Sequence, residues 1–111
     1  MWIFLPGGSF VSVVEKASDV ARDTLTVRAR AASDLSELRA FLPSMPPIER
    51  GGGTDYAVRV VVPRAEFAAA LGRMAGAIKY ANFKDRVAET RGTGRARVLN
   101  TVWTIIRRLQ A

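Results

Sequence analysis

The chain has 111 residues, of which 49% are hydrophobic and 24% are charged, and its formal net charge is +7 at pH 7. This length and composition are typical of one globular domain, which we expect to span residues 1–111. The sequence contains no cysteine and no histidine. Their absence excludes disulfides, metal sites built from thiolates or imidazoles, and nucleophilic catalysis that needs a histidine base.

The N-terminal residues predict a β-hairpin. "MWIFL" and "SFVSVVEKA" are apolar segments separated by Pro6, Gly7 and Gly8, and proline followed by glycine suits the central positions of a type II turn. This start is uncharged, but it lacks a basic region and is interrupted well before the ~20 apolar residues of a membrane helix. We therefore expect a cytoplasmic protein that does not engage a membrane.

The next segments predict a turn, a strand and a short helix. "SDVARD" is polar and turn-like, whereas "TLTVRARA" alternates between apolar and polar residues, which indicates a half-buried strand. "SDLSELRAFL" then has the apolar spacing of a helix, with Ser33 as a candidate N-cap and Pro43 beyond its end. "PSMPPIERGGGTD" follows and is typical of a loop.

The remaining chain predicts one strand and three helices. "YAVRVVV" alternates as a fourth strand, Pro63 suits the first turn of the next helix, and "RAEFAAALGRMAGAIKY" is that helix. Asn82 is a natural cap for a short helix over "FKDRVAET", which Gly92 and Gly94 interrupt. The last helix is expected from about Arg95, with one strongly apolar face formed by Leu99, Val102, Trp103, Ile106 and Leu109.

This order of elements predicts an α+β fold. Strands come first and helices mostly later, which favours an antiparallel sheet of about four strands with helices packed on one face. A variant of the ferredoxin-like fold is the alternative, because the third strand, first helix and fourth strand would make a βαβ-like unit.

The net positive charge comes entirely from the C-terminal half of the chain. Residues 1–62 contain seven basic and seven acidic side chains, whereas residues 63–111 contain ten basic and three acidic ones. "RGTGRAR", as a flexible basic loop, would contact phosphate without reading sequence, although arginines at two helix ends explain the pattern equally well. The candidate nucleic-acid-binding residues in this half are Lys79, Lys84, Arg86, Arg91, Arg95 and Arg97.

Two further groups of residues are candidates for a binding site. Arg28, Arg30 and Arg59 share the polar side of two strands. With an aromatic residue of the first strands, such as Trp2, Phe4 or Phe10, they would resemble a sheet-based RNA-binding face, although the aromatic signature of those modules is absent. In "IKYANFKDRV", helical spacing places Tyr80, Phe83 and Val87 on one stripe and the cations elsewhere. We interpret that stripe as core packing.

No segment predicts catalysis. The carboxylates lie mostly at expected cap or turn positions, and none belongs to a motif for acid–base or Mg²⁺ chemistry. "GGGTD" leads into a strand, whereas a phosphate-binding glycine loop leads into a helix, so we interpret it as a connector. We therefore expect a protein that is not an enzyme and has no cofactor or metal.

Several motifs resemble, in the same order, a family of short uncharacterised proteins of actinobacteriophages and bacteria. They are "MWIF", "SFVSVV", "LTVRAR", "TDYAVRVVVP", "YANFKDRV" and the late "VW", which together cover nearly the whole chain. The resemblance implies a small accessory protein and supplies no site residues.

The leading hypothesis is therefore a non-catalytic accessory protein of phage or bacterial type. It would act by self-association or by binding a bacterial protein partner, and the apolar face of the last helix motivates this hypothesis. The alternative is binding of nucleic acid through the basic C-terminal half.

Overall fold

A five-stranded antiparallel sheet organises the protein, in a computed structural model that describes residues 1–51 and 55–110. The strands are β1 Trp2–Phe4, β2 Phe10–Val14, β3 Thr24–Ala29, β4 Glu49–Arg50 and β5 Val58–Pro63. The helices are α1 Ala17–Val20, α2 Ala32–Phe41, α3 Arg64–Gly76, α4 Phe83–Arg91 and α5 Thr93–Ile106, followed by a 3-10 helix at Arg107–Leu109. Three residues of the predicted "GGGTD" connector lie outside the described ranges.

The α+β prediction is confirmed, with one more strand than expected. The sheet order is β1-β2-β3-β5-β4, and the additional strand β4 lies in the segment predicted as a loop. β3 and β5 are adjacent and antiparallel, with Val27 opposite Val60. The βαβ-like unit predicted for β3, α2 and β5 is therefore not formed. α2 leads instead to β4, which runs parallel to β3 on the far side of β5.

One face of the sheet and the helices α2 and α3 form the core. Alternate residues of β2, β3 and β5 point to this face, as the spacing in the sequence predicted for β3 and β5. Leu35 and Leu38 of α2 and Phe67 and Met74 of α3 pack onto them. The strand residues of this core are Val11, Val13, Val27, Ala29, Val58, Val60 and Val62.

The β1–β2 turn is tight, but its left-handed residue differs from the prediction. The N–H of Gly8 donates to the carbonyl of Leu5 at 2.8 Å, so Pro6 and Gly7 are the central residues. A type II turn requires a positive φ at Gly7, whereas the positive φ of +96° belongs to Gly8. The type II prediction is therefore wrong, and Gly8 is the residue whose conformation favours glycine.

A buried carboxylate explains why "SDVARD" contains a helix where a turn was predicted. Asp19 accepts hydrogen bonds from the Lys16 N–H at 2.8 Å and from the hydroxyls of Thr24 and Thr26 at 2.6 and 2.8 Å. Burial raises the pKa of Asp19, but these hydrogen bonds and the charge of Lys16 outweigh it, so the pKa lies below 3.8. The carboxylate thereby fastens α1 to β3.

Three helix boundaries also differ from the predictions. α2 begins at Ala32, so Ser33 is not its N-cap. α3 ends at Gly76 instead of continuing to Tyr80, which is consistent with the low helix propensity of glycine. Pro63 is the last residue of β5 and precedes α3.

Candidate interaction surface on the C-terminal helix

The helices α4 and α5 form a hairpin with a one-residue connection. The side chain of Asn82 accepts from the Asp85 N–H at 3.0 Å, which confirms Asn82 as the N-cap of α4. At the other end Gly92 has a φ of +87°, and α5 begins at the next residue. "RGTGRAR" is therefore a tight helical junction and not the flexible basic loop that was considered.

A salt-bridge cluster around the buried carboxylate of Asp34 fastens this hairpin to α2. Asp34 is 4% exposed and binds Arg91 at 2.9 Å and Arg95 at 2.8 Å. A second Arg95 nitrogen lies 3.1 Å from the other Asp34 oxygen, which also accepts from the Phe10 N–H at 3.3 Å. Two of the six candidate nucleic-acid-binding residues are therefore bonded to a carboxylate within the protein.

The hairpin also contacts the β1–β2 turn. The Thr90 hydroxyl donates to the carbonyl of Gly7 at 3.0 Å, and Arg91 donates to the Ser9 hydroxyl at 2.6 Å. Val87 is fully buried and packs so closely on Gly8 that an added Cβ would lie 2.8 Å from a Val87 methyl group. Phe83 contacts Phe4, with 6.4 Å between the ring centroids.

The apolar face of α5 is covered only near the start of the helix. Leu99 is buried and Val102 is half-buried. Farther along the same face, Trp103 is 50% exposed, Ile106 is 52% exposed and Leu109 is 84% exposed. Most of the apolar face that the sequence predicted for this helix therefore contacts solvent, which in a folded domain marks a candidate binding surface.

Trp103 and Ile106 border an apolar cleft of about 360 Å³ between α5 and the segment that leads into α4. Cations lie at its rim. The ammonium of Lys84 lies 4.3 Å from the centre of the Trp103 ring, and the Arg107 guanidinium lies 5.4 Å from it. We call this the α5 surface; its lining residues are Phe4, Ala81, Asn82, Phe83, Lys84, Leu99, Val102, Trp103 and Ile106.

The six candidate nucleic-acid-binding residues do not form one set. Arg91 and Arg95 bind Asp34, whereas Lys84 lies at the cleft. Lys79, Arg86 and Arg97 are exposed, and the Arg86 guanidinium lies 3.9 Å from the Glu89 carboxylate. Whether the exposed members contact nucleic acid stays a prediction.

The comparisons with family models, with curated proteins and with solved structures found no match for this chain. Within residues 1–51 and 55–110, no cluster of three or more potential acidic ligands is suited to hold a metal ion. No helix in this part of the chain is long and apolar enough to span a membrane.

Proposed function

We propose that this protein is a non-catalytic binding protein that engages another protein through the α5 surface. The observation that carries the proposal is the exposure of Trp103 and Ile106 on the face of α5 that continues from buried Leu99, and of Leu109 in the 3-10 helix that follows. Exposing large side chains in this way costs solvation free energy, and covering them in a complex recovers it. The resemblance to short phage and bacterial proteins fits an accessory role of this kind.

The shape of the α5 surface favours a helix as the occupant. Its apolar residues line a cleft between two segments of the chain, and an amphipathic helix binds such a groove with side chains spaced three and four residues apart. Trp103 suits such a contact, because tryptophan is enriched among the residues that contribute most to binding at protein interfaces.

The charges around the cleft favour an acidic partner. Lys84 and Arg107 border Trp103, Arg108 follows in the 3-10 helix, and residues 90–110 contain no acidic side chain. Packing two copies of α5 together would bring these cations close to one another, which is unfavourable. We therefore infer a different protein, with carboxylates flanking its apolar stripe, in preference to a second copy.

The proposal is tested with a labelled amphipathic peptide that carries leucines at i, i+3, i+4 and i+7 and glutamates on the flanks. Fluorescence anisotropy should show saturable binding that weakens as salt rises, and a peptide with lysines in place of the glutamates should bind less tightly. Ile106→Lys should lower the affinity at least about tenfold, the scale of losing one well-packed interface residue.

Val20→Lys is the matched control, because Val20 is an exposed apolar residue on α1 and not part of the α5 surface. Equal affinities for Ile106→Lys and Val20→Lys, or no binding of either peptide, would contradict the proposal. Sedimentation velocity over a concentration series tests the second copy: a dimer that Ile106→Lys dissociates would replace the acidic partner by self-association.

A further inference from the structure

The face of the sheet opposite α2 and α3 carries a row of residues that the strand register brings together. Trp2 of β1 pairs with Ser12 of β2, Ser12 with Arg28 of β3, and Arg28 with Arg59 of β5. Residues paired across antiparallel strands point to the same face. The row therefore crosses four strands. It has an aromatic residue, Trp2, at one end and two arginines, Arg28 and Arg59, at the other.

Trp2, at the aromatic end of this row, is exposed, and contact with Phe10 orients its ring. Trp2 is 74% exposed, and its ring meets the edge of Phe10 with 5.7 Å between centroids. Phe10 in turn packs on Phe4 at 5.1 Å. The indole thus rests on a packed aromatic pair while most of its surface faces solvent, which is the form of a stacking platform.

The arginine end holds two guanidinium groups on one tyrosine. The guanidinium carbons of Arg28 and Arg30 lie 4.6 and 5.0 Å from the centre of the Tyr56 ring. Arg28 donates to the Ser12 hydroxyl at 2.8 Å, and Arg30 donates to the Asp55 carbonyl at 2.9 Å. These acceptors are neutral, so they orient the guanidinium groups without cancelling their charge.

This arrangement differs from the arginines of the helical hairpin. Arg91 and Arg95 are bonded to the Asp34 carboxylate, whereas within the described residues neither Arg28 nor Arg30 forms a salt bridge. Tyr56 is buried, and cation–π contact with its ring holds both arginines on this face. A fixed positive charge beside an exposed aromatic ring is suited to a ligand that is both anionic and planar.

We propose that this sheet face binds single-stranded nucleic acid, with a base stacked on Trp2 and the phosphates of neighbouring nucleotides at Arg28 and Arg30. Two strand spacings, about 10 Å, separate the backbones of Trp2 and Arg28, so one short segment of strand reaches both ends of the row. A single strand presents open base faces to an aromatic ring, whereas the bases of a duplex are stacked inside it. The proposal is independent of the α5 surface, which shares with this row only the neighbouring Phe4.

The experiment measures binding of labelled oligothymidylate, and of a duplex of equal length, by fluorescence anisotropy across a salt series. Trp103→Phe serves as the background protein, because Trp2 is then its only tryptophan and quenching of its emission reports stacking directly. We expect single strands to bind more tightly than duplexes, with quenching on binding and with affinity falling as salt rises.

Three substitutions in this background locate the site. Trp2→Ala should weaken binding about tenfold, the scale of one lost base stack. Arg30→Ala should weaken it and reduce the salt slope by about 0.7, the value for one phosphate contact of a single strand. Arg108→Ala removes an equal charge from the exposed 3-10 helix and should leave binding unchanged, while circular dichroism verifies that each variant is folded.

Several results would overturn the proposal. They are absence of binding at low salt, equal affinity for duplex and single strand, or binding without quenching of Trp2. A further contradicting result concerns the C-terminal half. If substitution of Lys79, Arg86 and Arg97 weakens binding, while Trp2→Ala and Arg30→Ala do not, nucleic acid binds to that half and not to the sheet. None of these outcomes bears on peptide binding at the α5 surface, so the two proposals fail separately.

Discussion

The body of the protein, residues 1–76, and its C-terminal hairpin, α4 and α5, are held in place by different interactions. The body buries a continuous apolar core between the sheet, α2 and α3. The hairpin has only Val87 and Leu99 as buried apolar residues, and much of its attachment is polar, through Asp34 and the β1–β2 turn. Polar attachment positions the hairpin while many of its apolar side chains remain exposed.

The largest expected effect on stability comes from a comparison of two leucines that differ in burial. Leu38 of α2 is fully buried, whereas Leu109 after α5 is 84% exposed. Leu38→Ala should lower the free energy of unfolding by about 2–5 kcal/mol because it leaves a cavity in the core. Leu109→Ala should change it by no more than about 0.5 kcal/mol. Urea denaturation measures both, and a large loss for Leu109→Ala would show that the 3-10 helix after α5 contributes to folding.

The next largest effect is expected when the negative charge that holds the hairpin on α2 is removed. Asp34→Asn should lower the free energy of unfolding by about 2–3 kcal/mol, less than for a fully buried pair because Arg91 and Arg95 are partly exposed. Hydrogen exchange should accelerate in α4 and α5 before it accelerates in the body.

Asp23→Asn is the matched control for that substitution, because Asp23 is an exposed carboxylate that forms a salt bridge with Arg64. It should change stability by less than about 1 kcal/mol, as exposed pairs do. Equal effects of the two substitutions would mean that the Asp34 cluster does not hold the hairpin in place.

A smaller effect tests the contact between the β1–β2 turn and α4. Gly8→Ala and Gly51→Ala both place alanine at a positive φ, at +96° and +87°, but only at Gly8 would the new methyl group meet Val87. We expect Gly8→Ala to be the more destabilising of the two by about 1 kcal/mol or more, the scale of overpacking. Thermal denaturation of the two variants isolates that contact, and equal losses would indicate that α4 moves aside freely.

The smallest expected effect is on the pH dependence of stability, and it involves Asp19 in the body of the protein. Because the pKa of Asp19 in the folded protein lies below 3.8, its ionised form stabilises the fold above that pH. The stabilisation is lost as pH falls through the folded-state pKa. The melting temperature of Asp19→Asn should therefore depend less on pH below 3.8 than that of the wild type. Identical acid dependence of the two proteins would show that Asp19 does not contribute.

Local patterns predicted most of the fold but not the attachment of the hairpin. Alternation in "TLTVRARA" located a strand, and Asn82 marked a helix start, because both depend on nearest neighbours in the chain. The contact between Asp34 and Arg91 joins residues 57 positions apart, and no local pattern indicates it. The apolar face of α5 was identified correctly, but the sequence did not indicate which of its residues are exposed, since periodicity shows which residues share a face but not what covers it.

The sequence by itself determined the α+β class, the confinement of net positive charge to the C-terminal half, and the exclusion of chemistry that needs cysteine or histidine. These follow from composition and from periodicity over a few residues. Only the tertiary structure decided which arginines are neutralised and which are not. Asp34 reaches Arg91 and Arg95 through the packing of α2 on the hairpin, while Arg28 and Arg30 meet Tyr56 on the sheet. Charge neutralisation depends on distances of a few ångströms between segments far apart in the chain, and the fold sets those distances.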